Sequence, residues 1–157
     1  MDKITSKYIT WFLANKSKWK PRQWLMIPNL SWSFLEWEAD LICVSKSGYI
    51  TEIEIKISKA DLLKDQEKYK FQNRQLKSWE YIKEFYYCVP EKLLPDIPES
   101  YKQFAGIIVV PSDGRCRCRI IHLAPVNKKA KKITDVERMN LMRILGLRFW
   151  SQYKINK

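Results

Sequence analysis

A chain of 157 residues with 46% hydrophobic and 13% aromatic content holds enough apolar material for one core and too little length for two ordinary domains, so a single domain over 1–157 is expected. No stretch approaches the roughly 20 uninterrupted apolar residues of a membrane helix, and the N-terminus lacks the order of a secretory signal, which predicts a soluble, cytoplasmic protein. The 29 Lys and Arg against 17 Asp and Glu give a net charge of +12, which favours a polyanionic partner such as nucleic acid over a neutral small molecule.

The charge is unevenly spread. Residues 1–35 carry six basic and one acidic side chain, residues 36–113 carry 11 and 14, and residues 114–157 carry 12 and two. An acidic segment between two basic ones is expected when a carboxylate cluster sits in a cleft whose walls attract phosphate, although a lysine-rich solvated surface gives the same totals. Cys43, Cys88, Cys116 and Cys118 fit a reducing compartment, because a chain with a full core needs no disulfide staples.

Residues 3–18 place Ile4, Tyr8, Trp11, Phe12 and Leu13 at spacings near three and four, predicting an amphipathic helix that Pro21 ends. Residues 23–27 read as a short strand before Pro28 and Asn29. Leu35–Val44 and Tyr49–Ile57 are rich in β-branched residues, and Ser45-Lys46-Ser47-Gly48 between them supplies the turn of a β-hairpin. In the second strand Thr51, Ile53, Ile55 and Ile57 alternate with Glu52, Glu54 and Lys56, so one face is expected to be core and the other polar. Ser58-Lys59-Ala60-Asp61 has the form of a capping box, with Asp61 reaching back to the Ser58 amide, and is expected to open a helix running to about Glu84. Phe85–Val89 then reads as a buried strand parallel to the one before that helix. The prolines between 90 and 100 predict a loop with one short helical turn, and Ala105–Val110 and Arg115–Leu123 predict two strands joined around Asp113-Gly114. Thr134 is the expected N-cap of a closing helix whose Met139, Met142, Ile144, Leu145 and Phe149 face inward.

The hairpin brings charges together. If Val44 pairs with Ile50, paired residue numbers sum to 94, so Asp40 faces Glu54 and Glu38 faces Lys56. Opposed side chains have Cβ atoms about 4.5–5.5 Å apart, near enough for Asp40 and Glu54 to hold one hard divalent cation, Mg2+ or Mn2+, with the Ile55 carbonyl as a further ligand. Such an ion lowers the pKa of a bound water and neutralises charge on a phosphodiester in its transition state. Lys56, on the same face as Glu54, would orient the attacking water or stabilise the pentavalent phosphate. Glu38 or Glu52 would complete a second metal site. Alternating charges also mark an exposed strand face laced with cross-strand salt bridges, so the pattern alone does not decide.

The run Glu38-Ala39-Asp40, then Ser47-Gly48-Tyr49, then Glu52-Ile53-Glu54-Ile55-Lys56-Ile57-Ser58-Lys59-Ala60-Asp61 resembles the PD-(D/E)xK nuclease superfamily, and within it the MmcB-like branch of DNA-repair nucleases and their phage relatives. Phe85–Pro90, Ala105–Val109 and Ala124-Pro125 before the basic run fit the same pattern, so the likeness spans about residues 36–132. The resemblance implies an α/β fold with a restriction-endonuclease-like αβββαβ core, a mixed central sheet flanked by helices. It also implies a Mg2+- or Mn2+-dependent nuclease acting on DNA in repair, recombination or phage biology, with Asp40 and Glu54 as metal ligands and Lys56 as the catalytic lysine. The sequence departs from the pattern in having Ala39 where the superfamily's name has proline, no Glu in the first helix after Asp2, and no Gln-x-x-x-Tyr after Lys56. A non-catalytic nucleic-acid-binding module on the same fold, or an RNA-directed nuclease, is the alternative.

The expected phosphate contacts are Lys59, Arg115, Arg117 and Arg119, the last three on one strand face, together with Lys128, Lys129, Lys131 and Lys132. Each equally fits a solvated surface. Cys116-Arg117-Cys118 near His122 makes a poor zinc site, because cysteines two apart on a strand point to opposite faces. Trp19, Trp24 and Trp32 suit the core better than a base-stacking surface.

Overall fold

Runs of β-branched and aromatic residues become strands and join in one sheet in the computed structural model, which describes residues 4–16, 23–31, 34–68, 71, 76–111 and 118–151. The elements are α1 (Ser6–Lys16), β1 (Gln23–Leu30), β2 (Ala39–Ser45), β3 (Ile50–Ile55), α2 (Lys59–Lys64), β4 (Ile82–Pro90), β5 (Gly106–Val110), β6 (Arg119–His122) and α3 (Asp135–Ser151). Tight 3₁₀ turns at Asp65–Glu67, Lys77–Glu80, Glu91–Asp96 and Glu99–Gln103 fill much of the connecting chain. The result is a mixed α/β fold whose six strands follow the order β1-β2-β3-β4-β5-β6. Pairing is antiparallel at β1/β2, β2/β3 and β5/β6 and parallel at β3/β4 and β4/β5.

Two apolar layers hold the sheet. On one face Leu41, Cys43, Ile53, Ile55, Tyr86, Cys88 and Ile108 pack with Ile9, Phe12 and Leu13 of α1. On the other, Ile42, Val44, Ile50, Phe85, Tyr87, Val89 and Ile107 pack with Leu62 of α2, Leu141 of α3 and the ring of Tyr101. The β2/β3 register is the expected one, with Val44 opposite Ile50 and Leu41 opposite Ile53. Gly48 closes the hairpin at φ 87, a conformation that costs glycine nothing and most other residues a clash. The parallel pairing of β3 with β4 is likewise as expected.

Several expectations are corrected. The charged side of β3 is polar as expected but is not the exposed, salt-bridged face that the same pattern allowed: Glu52 is 0% exposed and Glu54 and Lys56 are each 2% exposed, because α2 and the turns after it lie over that face. The helix opened by Ser58 ends at Lys64 rather than near Glu84. Asp65 turns into a 3₁₀ turn with its side chain drawn inward, and Lys68 is already extended at φ −66, ψ 137. Ile82 onward belongs to β4, where bulky side chains gain burial on both faces of a central strand. Strand β1 runs through Pro28 to Leu30, which an edge strand tolerates because the missing N–H faces no partner strand. In α3, Leu141 is buried and Ile144 and Leu145 pack on the core, whereas Met139, Met142 and Phe149 are exposed. Strand β6 is shorter than expected, and Asp113, Gly114, Arg115, Cys116 and Arg117 lie outside the described residues. No helix of the described residues is long and apolar enough to cross a membrane.

Candidate active site

Strand alternation puts Glu52, Glu54 and Lys56 on the face of β3 that looks toward α2, and the helix start decides what meets them. Ser58 caps α2 by accepting a hydrogen bond from the Asp61 amide at 3.2 Å. Helical spacing then carries Asp61 and Asp65, four residues apart, down one side of the turn. The Asp61 carboxylate turns toward Lys56, with Oδ1 3.7 Å from Nζ.

Lys56 is the centre of the cluster. Its Nζ lies 2.8 Å from Glu54 Oε1 and 2.6 Å from Asp65 Oδ1, and its backbone N–H donates to the Cys88 carbonyl of β4 at 3.0 Å. A second ammonium, Lys68 Nζ, lies 2.6 Å from the same Glu54 oxygen and 2.7 Å from the same Asp65 oxygen. Lys56 and Asp65 are buried, whereas the Lys68 side chain is 43% exposed and that of Asp61 49%, so the cluster reaches solvent through these two. Burial acts to lower the Lys68 pKa, but the Glu54 charge and the hydrogen bonds to Asp65 and Glu54 outweigh it and hold the ammonium above the ordinary lysine value.

The other Asp65 oxygen accepts a hydrogen bond from the Tyr87 hydroxyl at 2.8 Å. Burial, aided by the Asp65 charge, pushes the Tyr87 hydroxyl well above the usual phenol range, so it stays protonated and donating. Tyr87 stacks on Tyr101 with ring centroids 4.9 Å apart, and the Tyr101 hydroxyl donates to the Leu62 carbonyl at 2.8 Å.

Asp40 is half-buried on β2, and its Oδ2 accepts from the Ile55 amide at 2.8 Å, which seats the carboxylate against the Glu54–Ile55 peptide. Glu38 lies before β2 and is exposed, and the acidic partners of Lys56 are Glu54, Asp61 and Asp65. Glu52 is held by Trp37, whose Nε1 donates to its two oxygens at 3.0 and 3.2 Å. Two carboxylates and a carbonyl suit Mg2+, which commonly binds through one or two carboxylates and keeps several waters. Asp40, Glu54 and the Ile55 carbonyl fit that minimal donor set. A fuller cage is not present: among the described residues no group of three or more His, Cys, Asp or Glu is arranged to hold a metal ion.

The expected phosphate contacts are scattered. Lys59 pairs with Asp96 at 2.7 Å, Arg119 with Glu91, and Lys131 with Glu80. Lys128 and Lys129 are exposed, and Lys132 lies over the Tyr49 ring, 5.2 Å from its centroid. Arg115 and Arg117 lie outside the described residues, as do Trp19 and Trp32 and the side chain of Trp24. His122 Nε2 is 3.0 Å from the Lys102 carbonyl. Asp65, Lys68 and Tyr87 were not foreseen from the sequence. The spacing of Asp61, Asp65 and Lys68, at i, i+4 and i+7 after an N-cap, was the available signal for the first two.

No family model and no curated protein matches the chain. Among solved structures it is similar to a protein of unknown function from Silicibacter pomeroyi, with a TM-score of 0.61 and 15% identity over 100% of each chain, a likeness of fold.

Proposed function

We propose that the chain is a Mg2+- or Mn2+-dependent nuclease that hydrolyses phosphodiester bonds of DNA, built on a restriction-endonuclease-like αβββαβ core. The observation that carries this reading is the Lys56 ammonium, 2% exposed, set between Glu54 and Asp65 at the carboxyl end of β3. Burying two carboxylates and a lysine costs several kcal/mol per ion even after relaxation, so clusters of this kind concentrate at functional sites. The carboxyl ends of parallel strands are where open α/β sheets bind ligands, and β3 and β4 form such a pair. The element order α1-β1-β2-β3-α2-β4 supports the fold reading.

On this reading Asp40, Glu54 and the Ile55 carbonyl would hold the metal, which when bound supplies an acidified water and charge neutralisation at the phosphate. The Ile55 amide seats the Asp40 carboxylate against the Glu54–Ile55 peptide. Lys56, fixed by its ion pairs, donates to the water or to a phosphoryl oxygen as negative charge develops. Lys68, reaching solvent, attracts the phosphate backbone toward the cluster.

Pure protein incubated with Mg2+ or Mn2+ and a panel of linear, circular, branched and single-stranded DNA and RNA tests this, beside Lys56→Ala and Asp40→Ala. Cleavage that needs metal and is lost in both variants is expected. Cleavage retained in both variants, or absent on every substrate, overturns the nuclease reading. The second reading, a nucleic-acid-binding module without catalysis, is favoured by the two ammonium groups already paired with Glu54 Oε1. It predicts binding without cleavage in the same panel.

A further inference from the structure

We propose that Asp65 is the positioning residue of the site, fixing the Lys56 ammonium, and that Tyr87 in turn fixes Asp65. The proposal rests on the nuclease reading and adds to it two residues that never touch substrate.

A lysine head sits on a flexible stem with three rotatable donors, so its direction at a reacting centre must be imposed from outside. Glu54 cannot impose it alone, because it leaves the same strand only two residues earlier and holds the head from one side. Asp65 supplies a second anchor from a different element, at 2.6 Å, and is itself 0% exposed. Two anchors from β3 and from the end of α2 define a direction where one defines only a distance.

Asp65 is pinned as well. Its Oδ2 takes the Tyr87 hydroxyl at 2.8 Å, leaving Oδ1 turned to the two lysines. Tyr87 is placed by the sheet, since it pairs with Glu54 in the β3/β4 ladder, so the residue beside Glu54 on the next strand sets the carboxylate opposite Glu54. Its ring is held by the stack on Tyr101. Charge balance by itself would not call for this arm: a carboxylate placed anywhere near Lys56 would neutralise it, with no need for a tyrosine on its far oxygen.

Tyr87→Phe keeps every charge and removes only the hydroxyl, whereas Asp65→Asn keeps the shape and removes the charge. Both are compared with the full-length protein for single-turnover cleavage at saturating substrate and metal, for KM, for thermal unfolding, and for acetylation of Lys56 read by mass spectrometry. Outer-shell changes of this kind commonly cost about 10–100-fold. The expectation is a fall of that size in the single-turnover rate for Asp65→Asn, a smaller fall for Tyr87→Phe, little change in KM, and Lys56 acetylated faster in both. Should Asp65→Asn not fold, Tyr87→Phe alone decides. Unchanged rate and unchanged Lys56 labelling in folded Tyr87→Phe, while Lys56→Ala is inactive, overturns the positioning role and leaves the nuclease reading standing. A wild-type protein that cleaves nothing overturns the nuclease reading, whereas Lys56 labelling that rises in Tyr87→Phe of that protein still shows that the hydroxyl fixes the ammonium through Asp65.

Discussion

Lys56 is 2% exposed and in contact with two carboxylates that are themselves buried, so its charge cannot be removed without consequence. Lys56→Met keeps the length of the stem and deletes the ammonium, leaving Glu54 and Asp65 to share Lys68. Breaking a buried pair by removing one partner costs about 3–5 kcal/mol. With Lys68 still present, the lower end of that range, about 3 kcal/mol, is the expected loss in urea unfolding. A loss under about 1 kcal/mol would mean that water already screens the cluster as at a surface pair. Tyr101 gives a second test at this scale. Burial and the Asp65 charge push its hydroxyl up to about 12, above the free value of about 10, so the folded state holds the proton more tightly. Its contribution to stability is therefore complete below pH 10 or so and is lost as pH rises toward about 12. One such group gives a slope of about 1.4 kcal/mol per pH unit across that window. Lys68, also raised, steepens the loss at higher pH. Unfolding curves at alkaline pH should show this fall together with that from Tyr87, which is raised in the same way, and Tyr101→Phe should make the slope shallower by the share of one group. An equal slope in both proteins would show that the hydroxyl titrates freely.

At the scale of elements, β5 begins at a glycine because nothing larger fits. A Cβ on Gly106 would lie 2.2 Å from the ring of Tyr86, its partner in β4, and 2.6 Å from the backbone N of Ala124. Neither ring nor backbone can move aside without unseating β4 from β5, so Gly106→Ala should destabilise by about 3 kcal/mol, the upper end of ordinary overpacking. Chemical denaturation measures it, and a change within about 0.5 kcal/mol, the level of a neutral surface substitution, would show that the two strands have slack. That constraint was not legible in the sequence, where Gly106 looks like any residue at the start of an apolar run. What was legible followed local rules. The alternation of Thr51 to Ile57 and the turn at Gly48 define the β2/β3 register, and Thr134 with Glu137 caps α3 through reciprocal bonds of 2.6 and 3.2 Å. The parts that were missed depend on long-range packing. The burial of Glu54, the early end of α2 and the capture of Asp65 by Lys56 all require the helix to fold back on the sheet, which no window of sequence around any one of them records.

For the whole molecule, the net charge of +12 sets a strong electrostatic expectation, although some of the basic groups are already paired with acidic ones. Lys59, Arg119 and Lys131 each have an acidic partner on the protein, so they gain less from a phosphate than their number implies. Lys128, Lys129 and Lys132 leave the loop between β6 and α3 exposed to solvent, and they are the better candidates for counterion release. Each phosphate neutralised on duplex DNA contributes about −0.9 to the slope of log binding constant against log salt. If the partner is duplex DNA and these three lysines meet its backbone, replacing all three with alanine should make the slope shallower by up to about 2.7. Anisotropy titrations in EDTA, which separate binding from cleavage, would measure it between about 50 and 200 mM salt, where the effect is large. Replacing Lys131 alone should change the slope less than replacing Lys128 alone, because Lys131 is already paired with Glu80 and neutralises less phosphate. An unchanged slope in the triple variant would move the phosphate track away from this loop and toward the residues around Lys68, which joins the surface to the buried cluster.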